Sequence, residues 1–549
     1  MSRISLFTLF GLNDTLQAFL YLLVLVLSVS PYFGGTKITS FIEIPHIWGD
    51  SKSIDIKIIK RLKVARYVYG PIFGIILIFI AFPFFDKPDS NTPNDSTKLI
   101  KSIGVLPLSN FSDPRDDSYS NGITDMLITQ LAQVKGLSVI SRSSTMYYKN
   151  KNIMISDIAS KLGVEGILEG SINRDEKGIF ISLQLVDKRN WIRWSHYQKI
   201  SDINVTTDQI IDELTKYIYR NKYSSPLSRS QRISDPDAIQ HYMLGRNSLN
   251  ARTEQDLLNA LQHFRKSIEI ESDYANAYAG LAETYILLGI YYVYAPESVY
   301  PSAEEAANRS IQIDNNLSEG YTALAHIKWL YNWQWMAAEK LYKTAIALGP
   351  NNQVAHHFYG WELSLMGRYE ESIKELLLAQ KLDPLSSIVN CDLAFAFFRA
   401  NKIELSKRQF DQAREINPTF GMLHAIQGRI NLHNREYQRA LSEFNEANNT
   451  SASIIKPWIA FTYAKMGDNI SAINILNELI SASNNTFIPA YEIARIYSGL
   501  NNKAATLRWL ELAIQRKETG LTRLKSEMLM DFFHESPEVL NILQRLNLE

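Results

Sequence analysis

Along this chain the spacing of apolar positions changes twice, and each change marks a boundary. The first stretch holds two uncharged runs, TLQAFLYLLVLVLSVSPYFGG at 15–35 and YVYGPIFGIILIFIAFPFF at 67–85. Each is about the length, roughly 20 residues, that a helix needs to cross a bilayer. A buried core helix of that length carries a polar stripe, and these show none. A cleaved leader fits the first run less well, because only Arg3 precedes it and Asp14 sits at its edge. The pattern therefore predicts two transmembrane helices.

Beyond the polar linker at 86–99, containing DKPDSNTPNDSTK, the spacing alternates between strand and helix periods over 100–222. SIGVLPL reads as a strand ending at Pro107. Ile123, Leu127, Leu131 and Val134 recur as one face of a helix, with Gly136 placed to cap it. LSVISR is a second strand, MISDIASKLGV a second helix and EGILEGSINR a third strand. DEKG turns that strand into IFISLQLVDK, where Ile179, Ile181, Leu183 and Leu185 share one face. A helix at INVTTDQIIDELTKYIYRN closes the unit. Two βα units and a hairpin predict a small α/β domain with a mixed sheet.

From 236 to 520 the period is helical only, and it repeats. Pro350, Pro384 and Pro418 are 34 residues apart, as are Ala345, Ala379, Ala413 and Ala447, and Gly360, Ala394 and Gly428. Tyr342, Leu376, Phe410 and Phe444 keep the same step. Small residues where two helices cross, bulky ones filling the gap and Pro after the second helix identify tetratricopeptide repeats. About eight helical pairs fit, with a longer connection after Gly289 and a C-terminal helical cap at 521–549. The fold class is thus a small α/β domain with a mixed sheet and an all-α tetratricopeptide superhelix, preceded by two transmembrane helices.

Charge then fixes an orientation. Lys plus Arg and Asp plus Glu both total 57, so no global field points to nucleic acid. The loop at 36–66 departs from that balance with seven basic residues against three acids, and Lys57, Lys60, Arg61, Lys63 and Arg66 abut the second apolar run. Short basic loops stay cytoplasmic. The expected topology is a two-pass bacterial inner-membrane protein with its large C-terminal part in the periplasm; the alternative places that part in the cytoplasm. Ile56, Ile59 and Leu62 recur at helical spacing, so the loop also fits an amphipathic partner-binding helix.

SIGVLPLSNFSDPRDDSYSNGITDMLITQLAQVKGLSVISRSS, IASKLGVEGILEGSINR and ISLQLVDKRNWIRWSHYQKISDI resemble a bacterial domain akin to the amino-terminal domain of the Tol–Pal protein TolB and the flagellar assembly protein FlgO. In that family the domain is often followed by tetratricopeptide repeats that open with a helix like DAIQHYMLGR. A winged-helix DNA-binding domain, a kinase or a nucleotide cyclase often precedes it. The residues ahead of position 100 are too few and too apolar for a kinase or cyclase. The resemblance therefore implies a sensing and docking half.

No catalytic constellation emerges. Asp113, Asp116 and Asp117 have ligand chemistry, but Arg115 sits among them and no calcium-loop spacing is present. His356 and His357 are adjacent, about 100° apart on a helix, and cannot jointly grip one ion. Trp333 and Trp335 lie in a repeat turn and read as packing. GVEGILEG lacks the context of a phosphate loop. Cys391, the single thiol, lies in an apolar helix and reads as a buried small side chain. The chain is expected to use no cofactor and no metal, to be no enzyme, and to act on no identifiable small-molecule substrate. Its expected partners are the lipid bilayer and a protein or peptide. The groove residues expected to meet that peptide are His326, Trp361, Phe395 and Arg429, at one position of successive first helices. The function predicted is a membrane-anchored interaction scaffold or signal-input protein. The alternative is a regulatory membrane subunit that signals through 36–66 to a separate cytoplasmic transcription factor or cyclase.

Overall fold

Residues 100–110, 117–220, 235–483, 486–526 and 536–548 are described by a computed structural model of the chain. The alternating part forms β1 (Ser102–Val105), β2 (Ser109–Asn110), α1 (Asp117–Ala132), β3 (Ser138–Val139), α2 (Arg142–Met146), α3 (Ile155–Leu162), β4 (Gly166–Asp175), β5 (Gly178–Asp187), β6 (Ile192–Ile200) and α4 (Ile203–Tyr219). Their sheet has the order β3-β1-β4-β5-β6, with β2 adding a short parallel pairing to β4. β1 is parallel to β3 and β4, whereas β5 runs antiparallel to β4 and β6. Ile181, Leu183 and Leu185 of β5 pack with Ile123, Leu127 and Leu131 of α1 and Ile210 and Leu214 of α4. On the other face Ile167 of β4 meets Ile158 and Leu162 of α3. Apolar burial on both faces drives the three layers together.

Sequence patterning did not register three of these elements: β2, which is two residues long, β6 and α2. β6 is an edge strand whose exposed residues include Ile192 and Tyr197, so its apolar positions do not sort cleanly onto one face. α2 is little more than one turn, capped by the Ser141 hydroxyl accepting from Ser144 N–H. Gly136 does adopt a left-handed φ of 83°, but in the turn beyond α1 and not as its cap.

The remainder is helical: α5 (Pro236–Ala251) and α6 (Glu254–Ile270), α7 (Ala275–Ile290) and α8 (Pro296–Ile313), α9 (Ser318–Leu330) and α10 (Trp335–Leu348), α11 (Gln353–Leu365) and α12 (Tyr369–Leu382), α13 (Ser387–Arg399) and α14 (Ile403–Ile416) form successive hairpins. α15 (Gly421–His433) pairs with α16 (Tyr437–Met466), α16 continues to pair with α17 (Asn469–Ala482), and α18 (Ala490–Gly499) pairs with α19 (Lys503–Gln515). A 3-10 turn (Thr519–Arg523) and α20 (Pro537–Arg545) follow. The phased residues do what their size allows. A Cβ on Gly428 would stand 2.6 Å from the ring of Phe444, so only glycine admits that contact. Tyr342, Leu376, Phe410 and Phe444 are all buried.

Two departures from the expected register have local causes. α16 fuses the second helix of one pair to the first of the next because the step of 34 from Pro418 lands on Ala452, a helix former, and nothing ends the helix there. The longer connection after Gly289 shrinks because Pro296 opens α8 at its first position, where a missing N–H costs nothing.

A polar clasp repeats with the same period. His356, Asn390 and His424 each reach back to the carbonyl of the phased proline, at 3.2, 3.1 and 3.1 Å. The same side chains meet Glu375, Gln409 and Glu443 on the second helix, at 2.6, 2.6 and 2.8 Å. His356 is thereby occupied as a structural group.

The two parts of this region are docked through consecutive repeat turns. Asn351, next to Pro350, donates to the carbonyls of Ala132 and Leu137, both at 2.8 Å. Asp383, next to Pro384, accepts from the Ser143 and Ser144 hydroxyls at 2.5 and 2.6 Å, while Ser141 N–H donates to Leu382 O at 2.7 Å. At the other end the 3-10 turn and α20 come back onto the early pairs. Trp335 Nε1 donates to Leu546 O at 2.9 Å, and Arg523 lies 3.3 Å from the Tyr292 hydroxyl. Leu521, Leu543 and Leu546 share one core with Leu257, Ile286 and Trp329.

The expected two-pass placement in an inner membrane, with a periplasmic C-terminal part, requires correction. Among the described residues no helix is long and apolar enough to cross a membrane. The longest, α16, has 30 residues but carries Arg439, Glu443, Lys456 and Lys465, and the apolar faces of the other helices are spent on one another. The runs at 15–35 and 67–85, the linker at 86–99 and the basic loop with Lys57, Lys60, Arg61, Lys63 and Arg66 lie outside the described residues. So do Asp113 and Asp116.

Candidate functional site

The first helices of successive pairs face inward and enclose a lumen. Its central cavity, of about 160 Å³, is bounded by His326 of α9, Trp361 of α11, Asp392 of α13, Arg429 of α15 and Arg523 of the 3-10 turn. A neighbouring cavity of about 400 Å³ continues past Arg429 to Phe395, Phe398 and Trp458. Three of the four residues singled out from the repeat phase thus line the first cavity, and Phe395 with Arg429 lines the second.

Their side chains form a stack. The rings of Trp361 and Phe395 lie 6.2 Å apart, and the Arg429 guanidinium sits 4.7 Å from the centre of Phe395 and 5.1 Å from that of Trp458. Arg495 covers Trp458 at 3.8 Å. Aromatic faces carry negative potential, so guanidinium planes interleave with them favourably. Phase alone could not find Arg495 or Trp458, because the fused α16 breaks the 34-residue count before them.

His326 plays a different part. Its Nδ1 lies 2.9 Å from both the Tyr342 hydroxyl and Glu362 Oε1, and Tyr342 donates to Glu362 at 2.7 Å. Burial holds the Glu362 carboxyl well above the usual range and lowers His326 to about 3, with His357 and Arg252 adding repulsion. Both shifts favour the uncharged forms of these two groups, which burial keeps in one hydrogen-bonded knot with Tyr342. His357 is likewise bound, its Nε2 2.8 Å from Asp392. The Cys391 thiol is fully buried and pushed up by desolvation. Trp335 packs edge-on against Trp329 at 4.5 Å. Among the described residues no group of three His, Cys, Asp or Glu could hold a metal ion. Chemically, the lumen offers aromatic faces, guanidinium groups and the carboxylate of Asp392.

No known family model matches the chain. Among curated proteins it is 29% identical over 188 residues to the putative adenylate cyclase 3 of Rhizobium meliloti, covering 33% of this chain and 32% of that protein. It is 22% identical over 297 residues to the transcriptional regulator HilA of Salmonella typhimurium, covering 52% of this chain and 51% of HilA. The chain spans about a third of the first relative and about half of the second. Among solved structures it is similar to pilF of Pseudomonas aeruginosa, at 20% identity and a TM-score of 0.28, over 37% of this chain and 93% of that one.

Proposed function

We propose that this protein is a non-enzymatic interaction scaffold that receives a protein partner, as an extended peptide or helix, in the lumen of its tetratricopeptide superhelix. The observation that carries this reading is the in-line stack of Trp361, Phe395 and Arg429 along two adjoining cavities. Aromatic residues and Arg are the types that dominate binding hot spots. Successive first helices present them at regular spacing, as peptide-binding repeat arrays do. The α/β domain, read through its resemblance to the TolB and FlgO domain, would be the second recognition module.

A second reading is favoured by the likeness to a cyclase and to a transcriptional regulator. In it, the scaffold forms the regulatory half of a signalling system whose output is nucleotide synthesis or transcription.

The test is capture by the full chain of proteins from its source cell, compared with Trp361→Ala and Arg429→Ala. Trp361 is only partly buried, so its truncation should cost about 1–2 kcal/mol, less than the 3–5 kcal/mol of a core Trp. Both variants should lose the same captured protein while staying folded. A full core-sized loss in Trp361→Ala, or capture unchanged in both variants, would refute the lumen as the binding surface.

A further inference from the structure

Where the α/β domain meets the superhelix, the two enclose another cavity, of about 160 Å³. α1 and α2 form one wall with Asp125, Thr129 and Arg142, while Arg246, Glu283 and Glu319 come from α5, α7 and α9. In contrast to the aromatic lumen, this wall concentrates charge of both signs. Part of its hydrogen-bonding capacity is already used. Arg142 Nη1 donates to Asp125 Oδ2 at 2.5 Å, and Arg246 Nη1 donates to Glu283 Oε2 at 2.8 Å.

The remainder is not. Asp125 Oδ1, Arg142 Nη2 and His326 Nε2 are buried and meet no partner within the chain. Asp125 is 8% exposed and His326 3%, so neither turns to bulk water for compensation. A buried polar atom left unpaired costs about 1–3 kcal/mol, more when charged, and such atoms are rare without a reason. Here a bare carboxylate oxygen and a bare guanidinium N–H belong to two side chains already paired with each other. Both residues line one cavity.

We infer that this interdomain cavity binds a small zwitterion the size of a free amino acid, its carboxylate accepting from Arg142 Nη2 and its ammonium donating to Asp125 Oδ1. An anion alone would face Glu283 and Glu319 across the cavity and leave Asp125 Oδ1 unpaired. A cation alone would leave the guanidinium N–H unmade. Burial pushes the Asp125 carboxyl up to about 6 against the opposing pull of Arg142 and Arg246, and it raises Glu319 as well; a ligand ammonium would add one more positive neighbour. The volume falls below the roughly 300–1,000 Å³ of pockets that take drug-sized molecules and suits a ligand of few atoms. A ligand here would touch both the α/β domain and the superhelix.

The full chain should be screened by thermal melting and titration calorimetry against the common free α-amino acids. At least one should raise the melting temperature, while its decarboxylated amine and its N-acetyl derivative should each bind about tenfold more weakly or worse, the loss of one buried charged hydrogen bond. Thr129→Trp fills the cavity from α1 while removing no member of either ion pair and should abolish binding in a folded protein; Thr129→Leu serves the same purpose if the larger side chain prevents folding. Asp125→Asn should weaken binding of the amino acid. The inference is overturned if no amino acid binds, if either analogue binds as tightly as its parent, or if binding survives the filled cavity.

Discussion

Removing the carboxylate of Asp383 tests how the α/β domain is held. Asp383 is 2% exposed and accepts from two hydroxyls, but the two bonds are unequal. Ser143 is exposed and can turn to water, so its bond to the carboxylate contributes little. Ser144 is fully buried, and after truncation its hydroxyl would keep only the N–H of Leu385, which donates to it at 2.9 Å. A charged hydrogen bond is worth about 1.5–3 kcal/mol, and the orphaned donor adds to its loss, so Asp383→Ala should weaken docking by about 2–3 kcal/mol. Hydrogen exchange read by mass spectrometry localises the effect. Amides of α2 and of β3 should exchange about 30- to 150-fold faster, the factor that corresponds to that free energy, while those of α15 and α16 stay unchanged. Unchanged protection in α2, or an equal loss in every helix, would refute the assignment of Asp383 as a docking residue beside Asn351.

Gly428→Val should destabilise the sixth pair by about 1–3 kcal/mol, since its Cβ would stand 2.6 Å from the Phe444 ring, and chemical denaturation would show it. His326 sets a pH dependence. Its folded pKa, about 3, lies below the unfolded value near 6.5, so the unfolded chain binds the extra proton. The contribution is therefore complete above about pH 6.5 and declines by about 1.4 kcal/mol for each unit of acidification down to about pH 3. Denaturation midpoints measured across that window should fall less steeply in His326→Asn than in the wild type, and parallel slopes would refute the buried neutral state.

Much of this architecture was legible because its determinants are local and periodic. Phased Pro350, Pro384 and Pro418 ended helices where expected, and the alternation of Ile181, Leu183 and Leu185 produced β5. The illegible parts depend on partners distant in sequence. Nothing near Asp383 marks it as a docking residue, because its partners are about 240 positions away. In sequence His356 is one of two adjacent histidines unable to share an ion, yet its clasp to Pro350 and Glu375 recurs as Asn390 and His424, a register visible only once the helices are paired. The cavity between the domains was hidden for the same reason: Asp125 and Arg142 face Arg246 and Glu319 only after docking.

The return of the C-terminal segment onto the early pairs changes what kind of receptor the superhelix is. An open array of repeats behaves as a spring, each unit answering only to its neighbours, and it fits a ligand by changing pitch. In this chain Trp335 is tied to Leu546 and Tyr292 to Arg523, across separations of 211 and 231 residues. A spring whose coils are fastened together loses its softest mode of deformation. The bore is then set during folding, so a partner that enters it as proposed would be selected by girth, and the entropy of ordering the groove would be met before it arrives.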